Sequence, residues 1–178
     1  VRNQSKVFPC RVFGKKPTGG KAEFFFLEQE SIDQTYPCLI KSSGKKKVGD
    51  SYILSGGSAE IINRNEDGTF KVLFNPNLKY ANLGEFLQSE GLTPIPPYIR
   101  GGESDDLDQH TYQTTYAKHI GSVAAPTAGL HFTNELTNKL LEKNVEIAHV
   151  TLHVGLGTFS PIKTEDIRSH QMHEENSQ

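Results

Sequence analysis

The chain has 178 residues, 35% hydrophobic, with 19 Lys and Arg against 21 Asp and Glu and a formal net charge of −2. That is enough chain for one full domain or two small ones, and it buries about 70% of its unfolded surface without disulfide or metal staples. A mean hydropathy of −0.51, no apolar run near the ~20 residues of a bilayer span, no apolar segment behind the N-terminal basic residues and no global basic excess argue against a membrane protein, a secreted one and an overall polycation.

Residues 6–75 read as β structure. The runs 6–13, 21–28, 36–41, 51–54, 59–63 and 69–74 are rich in β-formers. Turn signals separate them, at Thr18-Gly19-Gly20, Ser43-Gly44-Lys45, Gly49-Asp50, Gly56-Gly57 and Asp67-Gly68. Short antiparallel strands at this spacing predict a small barrel or sandwich. A helix is expected from Asn82 to Glu90, capped by Asn82 with Glu85 three residues on, and stopped by Gly91. Pro94, Pro96 and Pro97 forbid regular structure, and the polar loop 101–108 is the candidate boundary. From Tyr112 onward helix, strand and small-residue loops alternate, so the second half reads as α/β. Cys10 and Cys38 match no zinc or redox spacing. They are read as reduced, cytosolic thiols, with Cys10 a small core residue.

Charge is uneven. Arg2, Lys6, Arg11, Lys15, Lys16, Lys21 and Lys41 through Lys47 make the first fifty residues basic, while Glu103, Asp105, Asp106 and Asp108 form an acidic cluster. The basic half is either a face for a polyanion or a solvated lysine surface. The chain opens on Val1 and ends just past an expected helix, which reads as a piece of something larger.

The stretch 121–161 organises the second half. A loop of small residues, 123–131, ends in His131. Small residues let a ligand or another backbone come close. Thr133 is the expected cap of a helix with Leu136, Leu140 and Leu141 on one face, and Asn144 is its left-handed stop. A strand over 145–154 would set Ala148, Val150, Leu152 and Val154 on one face and His149, Thr151 and His153 on the other. It runs into Gly155-Leu156-Gly157-Thr158. That loop meets Pro161 instead of opening a helix, so a dinucleotide fingerprint is excluded, leaving a generic ligand loop or a tight turn. Thr164 is the expected cap of a last helix carrying His170 and His173. With His153 these suggest zinc, but a zincin's i, i+4 pair and glutamate are absent; imidazoles serving as acid, base or substrate contacts are the alternative. Tyr112-Gln113-Thr114-Thr115-Tyr116 either stacks on a base or covers the core. No nucleophile-elbow, phosphate-loop or Cys–His pattern occurs.

Several of these segments together resemble the S-adenosylmethionine:tRNA ribosyltransferase-isomerase family of queuosine biosynthesis. They are 112–117 (YQTTYA), 121–133 (GSVAAPTAGLHFT), 150–159 (VTLHVGLGTF), 3–13 (NQSKVFPCRVF), 18–21 (TGGK), 94–99 (PIPPYI) and 170–173 (HQMH). The resemblance spans essentially the whole chain and corresponds to roughly the middle half of the family's length.

It implies an α/β domain with an inserted small antiparallel β-barrel domain, here truncated at both ends. Residues 1–10 would close the first part of the α/β domain, 11–93 would form the barrel domain with one helix, and 94–178 would continue the α/β domain. The implied reaction transfers and isomerises the ribosyl part of S-adenosylmethionine onto 7-aminomethyl-7-deazaguanine at the wobble position of a tRNA with a GUN anticodon. Adenine and methionine leave, and epoxyqueuosine-tRNA forms. S-adenosylmethionine is then a substrate, with no further cofactor and no metal, and the setting is the bacterial cytoplasm. The expected catalytic residues are His131, His153, Thr158 and His173. The expected substrate-binding residues are Tyr112, Thr127, Gly129, Gly155, Gly157 and His170. Lys6, Arg11, Lys15 and Lys21 would meet tRNA phosphates. The sequence departs from the family at Thr111, where an arginine is usual, and from Asn176 onward. The alternative readings are a non-catalytic tRNA- or nucleotide-binding remnant and a histidine-site metalloprotein.

Overall fold

The computed structural model describes residues 1–155, 157, 164–169 and 176–177. They divide into two compact units, one made of Val1–Val7 and His110–Gln178, the other of the intervening Phe8–Gln109.

The intervening unit is built on a closed barrel. Its strands are β3 (Arg11–Lys15), β4 (Lys21–Phe26), β5 (Thr35–Ser42), β6 (Ser51–Leu54), β7 (Gly57–Arg64) and β8 (Phe70–Pro76), ordered β3-β4-β5-β8-β7-β6. Every pairing is antiparallel. Alternation along each strand sends one set of side chains inward. Phe24 and Phe26, Tyr36 and Cys38, Tyr52, Ala59 and Ile61, and Val72 and Phe74 are all buried there. Closure leaves no edge open to pairing with another chain.

The expected run 6–13 is not one strand. Pro9 lacks an N–H and splits it. Its first part becomes β2 (Ser5–Val7) in the other unit, and its second becomes β3. Cys10 and Cys38 are buried free thiols, and burial pushes both well above the usual thiol range, so they behave as core residues.

Helix α1 (Leu83–Glu90) packs onto the barrel through fully buried Leu83, Phe86 and Leu87. The Phe86 ring stacks on Phe74 at 5.5 Å between centroids, and Gly56 leaves room for it. Asn82 caps as expected, its Oδ1 accepting from Glu85 N at 3.0 Å. Glu85 reaches back to Ala81 N at 2.8 Å, one residue before the cap. Gly91 ends the helix for a reason other than the expected one. Its backbone is extended, with φ −72°. A Cβ there would collide with the carbonyls of Pro9 and Leu87.

The other unit holds three two-stranded sheets. Strand β1 (Arg2–Asn3) runs parallel to β10 (His149–Val150), and β2 runs parallel to β9 (His119–Ser122). Strand β11 (Leu152–His153) runs antiparallel to β12 (Asn176–Ser177). Besides the one-turn α2 (Asp108–Thr111), the chain forms α3 (Asn134–Glu142). Thr133 Oγ1 caps α3 by accepting from Leu136 N at 3.0 Å, and Asn144 follows at φ +59°, as expected. No residue of α3 is buried, and Leu136 and Leu141 are exposed.

The expected strand 145–154 is shortened to β10 and β11. Val150 and Leu152 are exposed while Thr151 is buried. Side-chain hydrogen bonds hold this stretch. Gln4 Nε2 donates to Thr151 Oγ1 at 3.2 Å, and the Asn3 amide pairs with both the N and O of Leu152 at 3.0 and 2.9 Å. The helix expected from Thr164 is, among the described residues, a 3-10 turn over Ile167–Ser169. The Arg168 backbone N–H donates to Asp166 Oδ1 at 3.0 Å; His170 and His173 lie outside the described residues. No described helix is long and apolar enough to cross a membrane.

At the end of α1, Lys79 Nζ donates to Glu90 at 2.8 Å, and the Tyr80 hydroxyl donates to it as well. Lys79 first, then Ser55 and Tyr80, lower the Glu90 carboxyl to about 2. The native state therefore binds this proton less readily than the unfolded chain, whose Glu titrates near ~4.3. The contribution is complete above that value and is lost as the pH falls toward about 2. The Glu90→Gln variant should lose less stability across this window than the parent chain in urea titrations at stepped pH. Equal slopes would remove Glu90 from the account.

Candidate functional site

The site is built in the unit that contains 110–155, and it starts from side chains that replace strand ladders. The Gln113 amide clasps the backbone of Val7, donating to its carbonyl at 2.7 Å and accepting from its N–H at 3.1 Å. Thr115 Oγ1 donates to Phe132 O at 2.8 Å. The segment Tyr112-Gln113-Thr114-Thr115-Tyr116 thus ties the N-terminal strand to the far end of the 123–132 loop. Tyr112 itself is buried.

Val123, Ala124 and Ala125 are buried, and a 3-10 turn over Thr127–His131 follows. Close approach does occur here, but protein side chains make it. A Cβ on Gly129 would run into the Tyr116 hydroxyl and lie 2.8 Å from Thr114 Cγ2. Gly121, at φ +150°, has the His153 imidazole over it, so a Cβ there would sit 2.6 Å from Nδ1. Ser122 locks this corner. Its hydroxyl donates to buried Ser5 Oγ at 2.9 Å and accepts from Val154 N at 2.8 Å, and Val123 N donates to Val154 O at 2.9 Å.

His153 is held half-buried beside Gly121 and Ser122. Among the described residues, its Nδ1 and the Oγ1 of Thr114 are buried without hydrogen-bond partners. His131 is exposed at the end of its turn, Thr127 is exposed, and Gly155 and Gly157 are half-buried. Among the described residues no hydrogen bond or ring contact joins His131 to His153. Thr158, His170 and His173 lie outside the described residues. No group of three or more His, Cys, Asp or Glu able to hold a metal occurs among the described residues.

The expected site set does not include Arg2. Its guanidinium lies 3.9 Å from the Tyr116 ring centroid. Its Nε donates to His149 Nε2 at 2.9 Å, and its Nη1 donates to Thr137 Oγ1 at 3.2 Å. The bond leaves the proton of a neutral His149 on Nδ1. A lone arginine near the start of a chain carries no periodicity or motif, so only the fold reveals it.

Of the residues expected to meet phosphates, Lys6 is exposed on β2, and Lys15 and Lys21 are exposed on the barrel. Arg11 bonds within its own unit. Its Nε donates to Glu23 at 2.5 Å, and its Nη1 donates to Gly102 O. The acidic cluster is partly neutralised. Burial raises the Asp108 carboxyl, but the Asp105 amide and the Arg100 guanidinium outweigh it and hold the group below its usual range.

The arrangement sets the His153 imidazole beside a glycine and a small-residue loop. The chain matches a family model described as queuosine biosynthesis protein over residues 1–178. It is 45% identical over 178 residues to a protein of Geobacter metallireducens named S-adenosylmethionine:tRNA ribosyltransferase-isomerase. Proteins of the same name from Clostridioides difficile and Thermotoga petrophila are 44% and 43% identical. Each alignment takes in 98% of this chain and 50% of the relative. The chain thus spans about half the length of the curated relatives it matches.

Gly129→Ala should cost about 1–3 kcal/mol by overpacking against Tyr116 and Thr114. The same change in a Tyr116→Phe background should cost less, because the colliding hydroxyl is gone. A double-mutant cycle in urea measures the difference. Additive costs would show that the phenol does not press on Gly129.

Proposed function

Because the chain belongs to the queuosine biosynthesis protein family, we propose that it forms part of the site that moves the ribosyl group of S-adenosylmethionine onto tRNA. The acceptor is 7-aminomethyl-7-deazaguanine at the wobble position of a tRNA with a GUN anticodon. The products are epoxyqueuosine-tRNA, adenine and methionine. S-adenosylmethionine serves as substrate, and the work takes place in the bacterial cytoplasm. The observation that supports this reading best is the family match along residues 1–178, with an imidazole held beside a glycine within it.

The chemistry suits these residue types. A sulfonium makes the neighbouring C–H acidic, so a positioned base is needed, and such a base is worth about 10²- to 10⁴-fold. His153 and His131 are the bases we assign, with His173 as a further one. Thr158 or a second histidine would donate to adenine as it departs. Thr127, Gly129, Gly155, Gly157, Tyr112 and His170 would line the substrate. Lys6, Arg11, Lys15 and Lys21 would face tRNA. The same reading makes the chain an α/β domain, with its barrel domain inserted at 11–93 and the α/β part continued over 94–178.

The second reading is a remnant that binds tRNA or nucleotide without turnover. Adenine release separates the two. The purified chain is incubated with S-adenosylmethionine and tRNA carrying the modified base, with unmodified tRNA as control. Release with the modified tRNA alone is expected, and His153→Ala should lower it about 10²-fold or more. Full turnover in both His131→Ala and His153→Ala would refute the roles given to them. RNA binding without release would establish the remnant.

A further inference from the structure

Four segments of the site unit meet at one side chain. Arg2 stands on β1, Thr137 on α3, His149 on β10, and Tyr116 just ahead of β9. The Arg2 guanidinium lies 3.9 Å from the Tyr116 ring centroid, where a cation is attracted to the ring face. Its Nε donates to His149 Nε2 at 2.9 Å and its Nη1 to Thr137 Oγ1 at 3.2 Å. A planar guanidinium suits this task, because it stacks on a ring and still donates at its rim in fixed directions. The ring beneath it is enclosed on other sides. Phe132 meets Tyr116 edge-on at 6.5 Å between centroids, and His149 at 6.3 Å. The Tyr116 hydroxyl faces Gly129, where a Cβ would collide with it. Gly129 lies inside the turn Thr127–His131, and Thr115 fastens the residue after that turn by donating to Phe132 O at 2.8 Å. Arg2 thus covers the ring against which the turn rests.

This arrangement works in one protonation state. A guanidinium only donates and stays charged, so His149 accepts from it only through an Nε2 that carries no proton. A protonated His149 would set a second donor and a second positive charge at the same point. Arg2 from β1 and the uncharged Tyr116 ring pack on His149, and α3 contributes Thr137, which bonds to Arg2. The α3 charges Glu135 and Lys139 pair with each other at 2.6 Å. Among the described residues no carboxylate pairs with Arg2 or His149 to offset the repulsion.

We propose that Arg2 is a positioning residue that latches Tyr116 against the 127–131 turn while His149 is neutral, and that protonation of His149 releases the latch. The guanidinium then leaves the ring, and the phenol no longer fixes Gly129. Only the consequence for a substrate, felt through Thr127, Gly129 and His131, rests on the reading given under Proposed function.

The test is an acid titration of the full chain, with isotope-labelled histidine and glycine, followed by nuclear magnetic resonance. The neutral His149 ring should carry its proton on Nδ1. The Gly129 amide resonance should include a step at the midpoint of the His149 imidazole, apart from any step that follows His131. His149→Gln keeps an acceptor for Arg2 but does not titrate, so it should remove that step and leave the Gly129 amide at its starting position. Arg2→Met keeps a long side chain without donors or charge, so it should remove the step and shift the amide at every pH. Circular dichroism verifies that each variant is folded; should Arg2→Met not fold, the parent titration and His149→Gln decide. A neutral His149 with its proton on Nε2 would overturn the proposal. So would a Gly129 amide without a step at the His149 midpoint, or one unmoved in Arg2→Met. Affinity for S-adenosylmethionine is measured by calorimetry on the same proteins. Arg2→Met should weaken it about threefold or more, since the held turn becomes one of several populated arrangements; equal affinity would overturn the positioning role. A latch that responds as described in a chain that does not bind S-adenosylmethionine refutes the reading under Proposed function and leaves the latch. Binding and adenine release with a Gly129 amide blind to His149 do the reverse.

Discussion

The site unit depends on two glycines over which ring side chains lie. Gly121 sits beneath the His153 imidazole, and Gly129 faces the Tyr116 phenol. A methyl group at either position would drive the ring away. The surrounding hydrogen bonds act on this geometry. Ser122 bonds to Ser5 and to the amide of Val154, which places β11 beside β9. Arg2 lies over the other participant ring, Tyr116, while bonding to His149. The imidazole proposed as a base is therefore set by backbone spacing rather than by a charged partner on its own strand.

Short parallel strands are weak alone, since two- and three-residue ladders offer few hydrogen bonds. Here amide side chains extend them. Gln113 clasps Val7 on both its donor and acceptor sides, and Asn3 does the same for Leu152. The apolar side chains left outside this network, Leu136, Leu141, Val150 and Leu152 among them, are exposed. The barrel unit contrasts with it. Its interior is filled by Phe24, Phe26, Tyr52 and Phe74, with α1 packed against it by Phe86.

The barrel was legible because alternation and turn residues are local signals. Tyr36, Cys38 and Ile40, for example, fall inward at period two, and Asp67-Gly68 turns the chain where expected. The helix caps Asn82 and Thr133 were legible for the same reason. Pro9 misled, because its effect was to assign the two halves of one apolar run to different units. The strand over 145–154 came out shorter than expected, and alternation said which residues share a face but not which face is buried. Asn3 and Gln4, nearly the whole chain away in sequence, decided that Thr151 turns inward. Small residues in 121–132 signalled close approach, which Tyr116, Thr114 and His153 make at Gly129 and Gly121. Arg2 had no signal at all in one sequence, since its role exists only once β1 lies beside β10.

The central claim is that His153 belongs to the binding site for the sulfonium substrate. Nuclear magnetic resonance of the chain with isotope-labelled histidine tests it directly, with the His153 resonance assigned by its disappearance in His153→Gln. The account predicts that saturating S-adenosylmethionine moves this imidazole resonance, while that of His110, outside the proposed site, stays in place. A His153 resonance unmoved by S-adenosylmethionine that is demonstrably bound would contradict it.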